Sequence, residues 1–176
     1  MNKPQYFNFD IKHLDDFQSI NQQLITGLNA HIDSESTRKS HHFFGRYENI
    51  YIDSDKIPAI THILTLAKNH AADILACTAD DLKAGLWFNV MNPGDTTTLH
   101  RHDDDDELLS AVYYVQVAQN SGTLHLKREP VDIQVTPKEG MFVFFPPDFP
   151  HEVSENLSQT CRISLGINIG PLKEPL

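Results

Sequence analysis

Hydrophobic positions recur with a helical period through the first half of the chain and with a strand period through the second. Phe17, Ile20, Leu24, Leu28 and Ile32 stand three or four residues apart, which places them on one face of an α-helix. Asp15 or Asp16 precedes that run as a candidate N-cap. Ile57, Ile60, Leu64, Ala67, Ala71, Ile74 and Leu75 define a second helical face, with Ser54 or Asp55 as candidate caps and Pro58 suited to a first turn. Between these helices, residues 41–47 and 50–52 read as loop and short extended pieces, and His41 and His42 as surface histidines.

From Leu86 onward the runs are short and rich in β-branched and aromatic residues. Strands are predicted over Leu86–Met91, Thr97–His102, Leu108–Ala118, Thr123–Arg128, Val131–Thr136, Met141–Phe145, His151–Ser154 and Cys161–Ile169. Turn residues separate them: Asn92-Pro93-Gly94, Asn120-Ser121-Gly122, Glu139-Gly140 and Pro146-Pro147-Asp148. This alternation predicts a mainly β fold, a jelly roll or double-stranded β-helix, with the N-terminal helices packed on one outer sheet face. It forms one domain, in which residues 1–84 are a mostly helical support and 85–170 the jelly-roll core.

Composition narrows the classes. A chain of 176 residues with 40% hydrophobic content can bury one sizeable core. A net charge of -10 argues against a nucleic-acid or anionic-membrane binder, though not against a basic peptide. No apolar run approaches the ~18 residues of a membrane-spanning helix. Residues 1–6 are polar and unlike a secretory signal. Cys77 and Cys161 match no metal or redox spacing and read as reduced thiols. The expectation is a cytoplasmic protein, for which a homo-oligomer is compatible.

The candidate chemistry lies in two places. His100-Arg101-His102 means little alone, because ten histidines in a chain of this length give about half an H-x-H pair by chance. In a strand, however, residues two apart share a face, so His100 and His102 can point at one ion, and Asp104 can join if the strand continues. His151 follows the apolar strand Phe142–Phe145 and a Pro-rich corner that can aim a side chain inward. Two ligands close in sequence and one remote make an open three-ligand site for a divalent metal. Two ligand sets remain open: His100, His102 and His151, or His102, Asp104 and His151. Downstream, Arg162 and Ser164 share a strand face. A guanidinium on the barrel side of that strand calls for a carboxylate, which a co-substrate or an internal acid can supply.

Two families resemble these motifs. Gly94, His100, His102 and Glu107, with Gly140, Pro146 and His151, are spaced as in the two cupin motifs, although Tyr114, Asp148 and Glu155 stand where those motifs have Gly, Gly and Asn. The resemblance implies a jelly-roll barrel with His100, His102, His151 and, more weakly, Glu107 as metal ligands. Leu108–Val115, Gly140–Phe145, Pro150–Val153 and Arg162-Ile163-Ser164, eleven residues after His151, resemble 2-oxoglutarate/Fe(II) oxygenases, including prolyl-hydroxylase-like members. That resemblance covers roughly Leu86 to Gly170. It implies an oxidoreductase that uses Fe(II) and 2-oxoglutarate, the latter bound by Arg162 and Ser164 with Tyr114, and acting as a dioxygenase on a small-molecule or peptide substrate. The alternative is a cupin-type metal enzyme or small-molecule sensor that does without 2-oxoglutarate.

Overall fold

The structure is a computed structural model and describes residues 9–101 and 106–172, with the side chain of Val131 excepted. His102 and Asp104, two of the expected metal ligands, lie outside the described residues.

Among the described residues, eleven strands form two sheets. In chain order the elements are β1 (Asp10–His13), α1 (Phe17–His31), β2 (Arg38–Phe43), β3 (Arg46–Tyr51), α2 (Ala59–Leu75), a 3-10 turn (Ala79–Asp81), β4 (Leu82–Met91), β5 (Thr97–His100), β6 (Leu109–Gln116), β7 (Leu124–Arg128), β8 (Val131–Val135), β9 (Met141–Phe145), β10 (His151–Val153) and β11 (Arg162–Pro171). The larger sheet runs β1-β9-β6-β11-β4-β3-β2, and the smaller runs β5-β10-β7-β8. The expected mainly β jelly roll with helices on one outer face is thus the architecture observed.

The helical half contributes more strand than its periodicity announces. The segment expected as loop and short extended pieces is a hairpin, β2–β3, whose Ile50 pairs with Phe88 of β4. β1 pairs with β9 along its whole length. These strands carry polar residues such as Lys39, His42 and Glu48, so they give little hydrophobic alternation, and pairing with a preformed sheet edge decides their state.

The helix bounds follow the apolar stripe, but the expected caps do not form. Asp16 occupies the N-cap of α1 without a side-chain hydrogen bond, and α2 starts at Pro58 rather than at Ser54 or Asp55. The first donors of α2 are met by backbone carbonyls instead, Ile60 N–H by Ile57 at 2.9 Å and Thr61 N–H by Pro58 at 3.1 Å.

Strand alternation splits the core into two layers. On the outer face of the larger sheet, Phe88, Leu165, Ile167 and Ile169 pack against Leu24, Leu28, Ile60, Ile63 and Ala67 of the two helices. Between the sheets, Met91, Tyr114, Leu124, Val143, Phe145 and Phe149 form a second cluster. β9 is buried throughout because its alternate residues serve both layers, Phe142 and Phe144 outward and Val143 and Phe145 inward. No helix among the described residues is long and apolar enough to cross a membrane.

Candidate functional site

The site lies between the sheets, where β5 and β10 of the smaller sheet face β4, β6 and β11 of the larger one. His100 and His151 are cross-strand partners in the β5–β10 pair, and their ring centroids stand 4.2 Å apart. His151 is 6% exposed and is packed edge-on by Phe145. Nδ1 of His151 lies 2.8 Å from the Phe149 carbonyl oxygen, and Nδ1 of His100 lies 2.8 Å from that of Thr98. A carbonyl only accepts, so each Nδ1 carries the hydrogen, and the lone pair of each neutral ring sits on Nε2. Backbone carbonyls commonly orient metal-binding histidines in this way.

Across the cavity stands Arg162, 1% exposed. Its Nη1 donates to the Met91 sulfur at 2.9 Å, and its guanidinium carbon lies 5.3 Å from the Tyr114 ring centroid. Those partners are not carboxylates. Arg162 Nε and the Tyr114 hydroxyl oxygen are both buried without a hydrogen-bond partner. Burial pushes the Arg162 guanidinium below its ordinary pKa and the Tyr114 hydroxyl above its own, with each moderating the other. Ser164 is buried and is a register partner of Tyr114 on β6 and of Asn89 on β4.

The structure therefore brings together His100, His151, Tyr114, Arg162 and Ser164, which wall one cavity. It does not bring Glu107 to them. Glu107 accepts from Ser110 Oγ at 2.5 Å and lines a different pocket with Lys83, Asp106 and Gly170. Among the described residues no group of three His, Cys, Asp or Glu side chains is arranged to hold a metal ion. The His-x-His and His-x-Asp alternatives both run through residues 102–104, outside that set.

A buried cation beside two stranded polar groups fits a carboxylate-bearing co-substrate. An uncompensated guanidinium in a dry interior is costly, and a forked ion pair is its favoured partner. Two imidazoles oriented alike, each with Nδ1–H on a backbone carbonyl, fit a divalent metal bound through Nε2.

Several wall residues carry no motif: Glu48, Asn49, Trp87, Asn89 and Asn168. For Trp87, Asn89 and Asn168 the signal was alternation. β11 reads Ile163, Leu165, Ile167, Ile169 on one face and Arg162, Ser164, Gly166, Asn168 on the other, and β4 aligns Trp87, Asn89 and Met91 beside the second set. A polar and small-residue face on a barrel strand marks a cavity rather than a core.

Glu48 is 4% exposed and is held by the Arg46 guanidinium at 3.4 Å and the Thr98 N–H at 3.3 Å. Arg46 also donates to the carbonyls of Val90 and Thr96 and to Thr97 Oγ1. That bracket pins the β4–β5 connection and the strand that presents His100.

Residues 86–170 match the profile of the 2OG-Fe(II) oxygenase superfamily. No curated protein matches the chain. Among solved structures, a Pseudomonas putida prolyl-4-hydroxylase superposes with a TM-score of 0.73 at 19% identity, covering 94% of each chain. A Trichoplax adhaerens prolyl hydroxylase in complex with a hypoxia inducible factor peptide fragment gives 0.65 at 13% identity, covering 93% of this chain and 84% of that one. A Burkholderia pseudomallei oxidoreductase of the 2OG-Fe(II) oxygenase family gives 0.63 at 14%, with 93% and 84% covered. At these identities the superpositions carry the fold.

Proposed function

We propose that the chain, whose residues 86–170 match the 2OG-Fe(II) oxygenase superfamily, is a hydroxylase of that superfamily whose metal and co-substrate occupy the cavity between His151 and Arg162. The family's cofactors are Fe(II) and 2-oxoglutarate. The observation that carries the assignment to this cavity is the pair of stranded groups, Arg162 Nε and the Tyr114 hydroxyl, facing the two histidines.

When bound, Fe(II) and 2-oxoglutarate supply the oxygen activation needed to hydroxylate a substrate C–H bond. The chain's residues hold and orient. His100 and His151 would bind the metal through Nε2 with His102 as third ligand, the alternative set being His102, Asp104 and His151. Arg162 grips the distal carboxylate of 2-oxoglutarate through its fork, and Tyr114 and Ser164 donate their hydroxyl hydrogens to the same carboxylate. Leu124 and Val153 on the opposite wall keep water away, which strengthens each of these charge-assisted bonds. The substrate is a small molecule or a peptide; the Trichoplax neighbour's complex is a precedent for the latter.

The test is a calorimetric titration of 2-oxoglutarate into anaerobic Mn(II)-loaded protein, for wild type and Arg162→Lys. The wild type binds. The variant loses about 2–5 kcal/mol of affinity, because an ammonium cannot reproduce the two-pronged contact, while its metal affinity stays near wild type. Equal 2-oxoglutarate affinity in both proteins removes Arg162 from the site. Absence of binding in the wild type leaves a metal barrel of the cupin kind.

A further inference from the structure

Outside the metal cavity a second chamber opens, and the two share Glu48, Asn49, Trp87 and His100 as wall residues. Its wall presents acceptors. Asn168 Oδ1 on this wall, like Asn89 Oδ1 on the wall of the metal cavity, is buried and has no hydrogen-bond partner. They flank Trp87 on the inner face of the larger sheet: Asn89 is two residues along β4 from Trp87, and Asn168 stands on β11 two residues from Gly166, the register partner of Trp87. The amide nitrogen of Asn89 faces Thr97 Oγ1 at 3.5 Å. A stranded acceptor costs the desolvation of its lone pairs until a donor arrives.

The same chamber is acidic and aromatic. The buried Glu48 carboxylate lines it. Arg46 is shared between Glu48 and Asp95, at 3.4 and 3.9 Å, so one cation faces two carboxylates. Trp87 and Tyr51 line the chamber with ring centroids 6.3 Å apart. The opposing cation, Arg101, is exposed at the rim, where solvent and salt screen it. Trp87 is a fixed platform, since a Cβ on Gly166 would stand 2.4 Å from its indole carbons.

From this wall we propose that the outer chamber holds a cationic, N–H-bearing group of the substrate, an ammonium or guanidinium, which lies against Trp87 and donates to Asn168 and Glu48. Acceptors alone select donors, a carboxylate with aromatic faces selects a cation among donors, and the net charge of -10 draws such substrates in. The identification of substrate class rests on the oxygenase reading above.

Trp87 is the single tryptophan of the chain, so its emission reports this chamber directly. Protein loaded anaerobically with Mn(II) and 2-oxoglutarate is titrated with L-arginine, L-lysine and the blocked peptides acetyl-glycyl-arginyl-glycine amide and acetyl-glycyl-citrullyl-glycine amide, the citrulline peptide carrying no charge. Saturable quenching by the cations, with the citrulline peptide about tenfold or more weaker than the arginine peptide, is expected from loss of a charged hydrogen bond. Tighter binding of the arginine peptide than of the free amino acids identifies a basic residue in a chain, and the reverse a free amine. Asn168→Leu weakens the cations about tenfold, whereas Asn168→Asp tightens them. Citrulline and arginine peptides binding alike, no quenching by any cation, or unchanged cation affinity in Asn168→Leu overturns the inference. Binding of 2-oxoglutarate without cation discrimination defeats this inference alone. Cation discrimination without 2-oxoglutarate binding defeats the oxygenase reading alone.

Discussion

The sulfur of Met91 accepts a hydrogen bond from Nη1 of Arg162 at 2.9 Å, and the two residues are register partners on β4 and β11. A thioether is a weak acceptor. It holds the guanidinium against the sheet without neutralising it, so the charge remains available to a ligand. Thr97 Oγ1 also donates to the same sulfur at 3.7 Å, tying the arrangement to β5.

Replacing Met91 by Leu keeps the volume and removes the acceptor. The swap costs less than about 1.5 kcal/mol of stability. It lowers 2-oxoglutarate affinity by about 0.5–1.5 kcal/mol, the worth of one hydrogen bond, because Nη1 is left to find another partner. Thermal melting and calorimetry on the same samples separate the two effects. An unchanged affinity in a folded Met91→Leu protein shows that the sulfur does not position Arg162.

Glu48 acts on His100 at one remove. Its Oε1 accepts the Thr98 N–H, and the Thr98 carbonyl in turn accepts the His100 Nδ1 hydrogen. Glu48→Ala releases that peptide and leaves Arg46 with one carboxylate, so Mn(II) affinity falls about tenfold or more, as is common when a ligand's support is removed. Glu48→Gln keeps the accepting oxygen and stays near wild type. Electron paramagnetic resonance of free Mn(II) measures both. If Ala and Gln bind the metal alike, the relay through Thr98 carries no weight.

The β half of the fold was legible because its strands alternate cleanly. All eight expected runs from Leu86 onward coincide with β4 to β11, with ends shifted by a few residues. β1 and β2 were not legible, and β3 only as the short extended piece 50–52, since exposed, polar edge strands owe their pairing to the sheet beside them rather than to their own pattern. In the site, His151 and Arg162 announced themselves through spacing. Glu48 did not, because nothing in a short polar strand marks which acid becomes buried. Asn89 and Asn168 were readable only once the register of β4 against β11 was known.

His70 gives the fold a pH dependence. It projects from α2 against the rings of Phe142 and Phe144, with centroids 5.6 and 6.1 Å away. Burial lowers its pKa and the Lys12 charge lowers it further, against smaller opposing effects of Asp73 and Asp10. The folded state therefore favours the neutral ring, while the unfolded chain titrates near the ordinary value of about 6.5. The contribution is complete above that value and is lost as pH falls from it toward the lower folded pKa. Denaturant midpoints measured from about pH 8 to about pH 5 should fall more in wild type than in His70→Gln. Parallel curves would mean that the ring titrates alike folded and unfolded.

Gly166 is the position at which β11 admits the Trp87 indole. A Cβ there would stand 2.4 Å from Cε2 and Cζ2 of Trp87 and 2.7 Å from Nε1, and the backbone beneath it is paired on both sides, to Trp87 of β4 and Val112 of β6. The strand cannot yield without breaking two ladders, so in Gly166→Ala the ring must move. Overpacking of this kind costs about 1–3 kcal/mol, and the displaced indole enters a more polar setting beside Asn49 and Glu48. The expected result is a lower melting temperature and a red-shifted emission from this single tryptophan, with Mn(II) affinity retained because His100 and His151 lie on the opposite sheet. A Gly166→Ala protein with wild-type emission and stability would show that the indole does not rest on β11, and the platform of the outer chamber would go with it.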